Sequence, residues 1–177
     1  MLQQPTRLQL LVRQNKGSTE YQYYATELAH MLGTDIHSMD ILDLPETDRL
    51  LTAHRIQSVR SNKEADFAFK KVWNYKPMDP WSRFCRCLAE KLCGETAILF
   101  IGPYEFCGAV KVSVDLALNE APSLLEFDKD TVSLQSVTTE SGLYLDLFEE
   151  RSEWFVELVA WGQWKTWASQ VNSNEHR

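Results

Sequence analysis

The residues of this chain best equipped for chemistry lie near its C-terminal end. Tyr144, Asp146, Phe148 and Glu150 alternate along one stretch, and Glu153 and Glu157 follow within seven residues. Carboxylates interleaved with aromatics at a spacing of two line up on one face of a β-strand, because successive side chains point to opposite faces. Such a face suits a cationic visitor: the rings supply contact area and the carboxylates supply steering and charge-assisted hydrogen bonds. Two of those carboxylates are also the minimum for acid–base or metal-assisted hydrolysis, but a bare pair occurs too widely to specify a reaction.

Other reactive side chains form no such pattern. Cys85, Cys87, Cys93 and Cys107 have a C-x-C-x5-C spacing instead of the paired C-x2-C of a zinc site. The four histidines are scattered at 30, 37, 54 and 176. Buried structural thiols are therefore the expectation, with no metal and no cofactor. The loop Gly102-Pro-Tyr-Glu-Phe-Cys-Gly108 sets a thiol beside a carboxylate, yet no histidine is marked out to ionise Cys107, so it reads as a turn. There is no G-x-S-x-G, H-E-x-x-H, P-loop or G-x-G-x-x-G signature, and no catalytic residue is assigned.

The elements that must hold the acidic face follow from periodicity. Thr131–Val137, Leu143–Glu149 and Glu153–Trp161 read as three strands with short polar connections, which favours antiparallel pairing. An even-length loop at Arg151-Ser152 sets Leu143 opposite Ala160, Leu145 opposite Leu158 and Leu147 opposite Val156, so this apolar face belongs to the core. The other face then carries Tyr144 beside Val159, Asp146 beside Glu157, Phe148 beside Phe155 and Glu150 beside Glu153. Like charges across a strand pair destabilise it by at least a few tenths of a kcal/mol, so two such pairs ask for an explanation. The competing explanations are that the basic stretch between Arg49 and Lys91 covers them, or that the face sits in water with its charges splayed.

Upstream, Ala97–Ile101 is continuously apolar and reads as a central strand; Val110, Val112, Val114 and Leu116 alternate with Lys111, Ser113 and Asp115, which reads as a strand passing into a short helix near Ser113. Arg7–Arg13 is predicted as a first strand. Thr19 and Gln22 form a capping box ahead of a helix carrying Tyr21, Tyr24, Ala25, Leu28, Met31 and Leu32, which Gly33 stops. Pro45–Cys93 is predicted as two or three helices. Leu50, Ala53, Ile56 and Val59 make one buried stripe, and Ala65, Phe69, Val72 and Trp73 a second. Trp81, Phe84, Cys85, Leu88 and Leu92 make a third, after Asp79 as N-cap and Pro80. The aromatics of this basic section occupy such stripes, which speaks against nucleic-acid binding, as does overall acidity.

These elements amount to an α+β fold: a mainly antiparallel sheet of about five strands, with a helix-rich N-terminal half packed against it. A single domain spanning 1–168 is expected, followed by a polar tail over 169–177. The chain has 177 residues, 44% of them apolar and 24% charged, which suits one packed core. Net charge is −7, unevenly spread: Arg49–Lys91 holds ten basic against four acidic residues, Asp115–Trp161 eleven acidic against two basic. The start of the chain lacks a signal-peptide pattern and no stretch approaches the ~20 apolar residues of a membrane span, so a cytoplasmic protein without membrane attachment is expected.

The segments Leu124–Val132 (LLEFDKDTV), Ser141–Glu150 (SGLYLDLFEE) and Trp154–Gly162 (WFVELVAWG) resemble a pattern in small bacterial immunity proteins of contact-dependent inhibition and related polymorphic toxin systems. The resemblance covers the last third of the chain. It implies a non-enzymatic cytoplasmic protein that binds and neutralises a cognate toxin domain, often a nuclease, and it assigns no contact residue. The partner surface, Tyr144, Asp146, Phe148, Glu150, Glu153 and Glu157, rests on charge pattern alone and calls for a basic partner. The alternatives are an interaction module of another cytosolic assembly, or a small hydrolase using carboxylates or Cys107.

Overall fold

A computed structural model describes residues 7–64 and 66–174. The chain is α+β, with one antiparallel sheet of seven strands where about five were expected. In chain order the elements are α1 (Arg7–Met31), β1 (Asp40–Ile41), α2 (Leu44–Lys63), β2 (Ala68–Asn74), α3 (Asp79–Lys91), β3 (Thr96–Phe100), α4 (Tyr104–Cys107), β4 (Val110–Ser113), α5 (Val114–Asn119), α6 (Ala121–Asp128), β5 (Thr131–Ser136), β6 (Gly142–Glu150), β7 (Glu153–Trp161) and α7 (Gln163–Asn174). Strand order is β1-β4-β3-β5-β6-β7-β2, so the β6–β7 hairpin is enclosed by β5 on one side and β2 on the other. Among the described residues, no helix is long and apolar enough to cross a membrane.

The hairpin register is as expected from its apolar pairs: Leu143↔Ala160, Leu145↔Leu158, Leu147↔Val156. Arg151 (φ 53°) and Ser152 (φ 67°) both adopt the left-handed region, the conformation a two-residue hairpin turn needs to match strand twist. The strand-to-helix change at Ser113 and the central β3 also follow the sequence reading.

One face of the sheet makes the main core. Leu99, Val110, Val112, Val132, Leu134, Leu145 and Val156 pack there against Tyr24 and Leu28 of α1, the Trp81–Phe84–Leu88 stripe of α3, and Trp164, Ala168 and Val171 of α7. The opposite face is covered by α2, where Leu50 and Leu51 meet Ile98 and Phe100. Beside them Tyr144, Val159 and Trp161 form a smaller cluster with Ala68.

Four expectations need correction. Arg7–Arg13 is helical, because α1 begins there and runs unbroken through Gly17. Leu, Arg and Gln are good helix formers. The Thr19 hydroxyl of the supposed capping box instead bonds backwards to Asn15 O (3.0 Å), as neighbouring Ser18 Oγ does to Gln14 O (2.7 Å), the pattern of a helix interior. Gly17 is buried against α4; a Cβ there would stand 2.3 Å from the Phe106 carbonyl oxygen. The apolar residue at 17 that a continuous stripe would require is thus ruled out by close approach.

Second, Phe69, Val72 and Trp73 belong to strand β2, with burial alternating at period two; Ala65 lies outside the described residues. β-branched and aromatic residues suit a pleated surface, and Phe69, Lys71 and Trp73 share one face there. Third, the stripe of α2 is rotated: Thr47, Leu50, Leu51 and His54 are buried, whereas Ile56 and Val59 are exposed. The sheet beneath α2 offers polar partners to Thr47 and His54, so these displace larger apolar groups from the interface. Fourth, the supposed polar tail from Ser169 is helix α7 as far as Asn174, anchored by buried Val171; residues 175–177 lie outside the described residues. In addition α3 starts one residue early, with Met78 in the cap position that Asp79 was expected to take.

Candidate functional site

All six residues of the expected partner surface fall on the α2-covered face of the β6–β7 hairpin, in the register read from sequence: Tyr144↔Val159, Asp146↔Glu157, Phe148↔Phe155, Glu150↔Glu153. They are not equally available. Tyr144 is 7% exposed and packs at 6.3 Å from the Trp161 ring, with its hydroxyl donating to Asn62 Oδ1 (3.2 Å) at the end of α2. It is therefore a core residue and leaves the contact surface. α2 ends over this position, which nothing in the alternation of β6 could reveal.

Beyond the end of α2 the face opens. Asp146 is half-buried and accepts a hydrogen bond from Thr131 Oγ1 (2.6 Å) on β5. Glu157 lies beside it, its pKa raised by partial burial and by Asp146 while Lys70 of β2 pulls it down. Phe148 and Phe155 stack at 5.6 Å with their planes 24° apart. Glu150 and Glu153 are exposed at the tip, and Arg151 makes only a loose 4.0 Å contact with Glu150.

The basic stretch covers this face only at Tyr144, and among the described residues none of its side chains forms an ion pair with Asp146, Glu150, Glu153 or Glu157. Arg49 pairs with Glu46, Arg60 with Glu64 and Arg55 with Glu105, all away from the hairpin tip. Of the basic groups on β2, Lys70 faces Glu157 but donates to Asn62 Oδ1 (2.9 Å), and Lys71 lies over the Trp73 and Phe84 rings on the opposite side of the sheet. On that opposite side the tip borders a cleft of about 570 Å³ lined by Tyr75, Lys76, Lys129, Leu147, Glu153 and Trp154. Trp154 is 48% exposed within it.

Neither Cys85 nor Cys107 is set up as an activated nucleophile. Cys107 is buried, and burial together with Glu20 raises its pKa; burial pushes Cys85 up to about 12. A nucleophilic thiol needs the opposite shift. The described residues contain no group of three or more His, Cys, Asp or Glu side chains arranged to hold a metal ion.

Sequence reasoning missed a second polar site, under the edge of α2. His54 is 5% exposed and lies between the Phe100 and Trp161 rings, 5.3 Å from each. Its Nδ1 is 3.2 Å from Oε1 of fully buried Gln135, whose own amide nitrogen donates to Ser141 O (2.8 Å). That second bond orients the Gln135 amide, so its oxygen must accept from His54 and the proton of the neutral imidazole resides on Nδ1. Burial pushes the imidazole pKa down to about 4.

A cavity of about 320 Å³ opens beside His54 and is lined also by Arg55, Tyr104, Glu105, Asp128, Asp130 and Ser133. Asp128 closes the turn between α6 and β5, accepting from the backbone N–H groups of Gly102 and Thr131. Its pKa is raised, first by burial, while those hydrogen bonds hold it down. The only sequence signal for this site was a lone histidine within a helical stripe. No protein-family model, curated protein or solved structure matches this chain.

Proposed function

We propose that this chain is a non-enzymatic immunity protein that binds a basic toxin domain and blocks it, using the open end of the β6–β7 hairpin. One observation carries the reading: Asp146, Glu157, Glu150 and Glu153 are gathered around the stacked Phe148–Phe155 pair, with no strong ion pair closing on any of them among the described residues. Like charges placed across a strand pair cost stability in the free protein, and a cationic partner recovers that cost on binding. The aromatic pair and the adjoining cleft with exposed Trp154 supply the apolar area that an interface core requires. The resemblance of the last third of the chain to immunity proteins agrees in kind. Specific interfaces bury about 1,600 Å² in total, so the hairpin tip forms the centre of the contact and neighbouring surface completes it.

The test is association kinetics with a toxin domain encoded by an adjacent open reading frame. Glu150→Lys with Glu153→Lys alters two exposed side chains and leaves the fold intact. Association should slow by about tenfold or more at low ionic strength, and added salt should shrink the difference, because screening weakens steering of the parent chain more than of the variant. Equal association rates at both salt concentrations would remove the acidic tip from the interface.

A further inference from the structure

The cavity under α2 has a composition of its own. His54 and Ser133 are each more than nine-tenths buried and both line it. Among the described residues, neither His54 Nε2 nor Ser133 Oγ has a hydrogen-bond partner. Because the Nδ1 proton is held by Gln135, Nε2 presents a lone pair and no hydrogen: it can only accept. The carboxylates add further acceptors. Asp128 accepts from the backbone N–H groups of Gly102, Thr131 and Asp130, with acceptor capacity to spare, and the Asp130 side chain is exposed. The one cationic donor, Arg55, is occupied with Glu105 at 3.3 Å. Three carboxyl groups against one guanidinium give the lining a formal charge of −2.

A site with surplus acceptors, negative charge and a flat aromatic floor at Phe100 selects a guest with many N–H donors and a positive charge. We infer that this cavity binds a guanidinium or alkylammonium group, held between His54 Nε2, the Ser133 hydroxyl and the carboxylates of Asp128 and Asp130. The volume lies at the lower end of small-ligand pockets and fits one such headgroup with a short aliphatic stem. This inference does not depend on the inhibitor reading, since the cavity is built from α2, β3, α4 and the residues just before it, the end of α6 and β5, and not from the hairpin tip.

The experiment is a titration of the full chain, with histidine rings labelled with nitrogen-15, by methylguanidinium at pH 7 and constant ionic strength. Saturable movement of the His54 Nε2 resonance is expected. Methylurea, of the same shape without the charge, should bind at least about tenfold more weakly, because its hydrogen bonds are not charge-assisted. Ser133→Ala should weaken binding by about tenfold or more, in line with loss of one hydrogen bond to a charged group. Asp130→Asn, at an exposed position, keeps the test valid even if the buried change perturbs folding, and should weaken binding by a similar factor. Agmatine and a blocked Gly-Arg-Gly peptide distinguish the source. Binding by agmatine alone assigns the cavity to a free amine or guanidine, and binding by both assigns it to an arginine side chain. A shift that fails to saturate, or methylurea binding as well as methylguanidinium, would overturn the proposal.

Discussion

Acidification should destabilise this fold through His54 in a way that one substitution can isolate. The imidazole is enclosed by Phe100, Trp161 and Gln135, and its pKa is pushed down from 6.5 to about 4, first by burial and further by Arg55, against the opposing hydrogen bond with Gln135. Between those two values the unfolded chain binds a proton that the folded chain refuses. Stability from this group is therefore complete above pH 6.5 and is lost progressively as pH falls towards 4. With 1.36 kcal/mol per unit, the loss at pH 4 amounts to about 3 kcal/mol, a large share of the 5–15 kcal/mol typical of a domain. Carboxylates titrate in the same range, so the parent profile alone is not decisive. His54→Gln keeps an amide donor for Gln135 and cannot titrate. Urea unfolding of both proteins from pH 7 to pH 4 should show the parent losing about 3 kcal/mol relative to the variant, whatever their offset at pH 7. Parallel profiles would mean that the folded imidazole titrates near its ordinary value, which refutes its enclosure.

Two further outcomes are expected. Ser152→Gly should raise stability by roughly 1 kcal/mol in thermal unfolding, because Ser152 holds φ 67° in the hairpin turn, where a side chain is penalised and glycine is not. Gly17→Ala should lower it by about 1–3 kcal/mol despite alanine's better helix propensity, since the added methyl meets the Phe106 carbonyl oxygen at 2.3 Å and forces α1 away from α4; a neutral or stabilising result would mean that the two elements do not approach so closely.

Residues with a strong local or nearest-neighbour pattern were legible in the sequence. Leu143, Leu145 and Leu147 could face only Ala160, Leu158 and Val156, because a slip by one residue would put Glu157 into the core, and the register followed. The α3 stripe at Trp81, Phe84, Cys85, Leu88 and Leu92 was equally plain, all five being buried. The acidic pairing of Asp146 with Glu157 came from the same register. Elements whose state depends on distant partners were not legible. The first half of α1 reads as a strand in isolation and is helical because Gly17 lets it lie on Phe106, and because Arg13 forms a two-pronged pair with Asp48 of α2 at 2.6 and 2.8 Å. β2 has apolar residues compatible with either period, and becomes a strand because β7 offers a complete edge of backbone groups to pair with. Tyr144 looked like a surface residue until α2 covered it, and Gln135, 81 residues from His54, gave no sign of fixing its proton. Local periodicity determines which face of an element is apolar; only tertiary packing decides what that face meets, and hence which polar groups are enclosed and which are left open to a ligand.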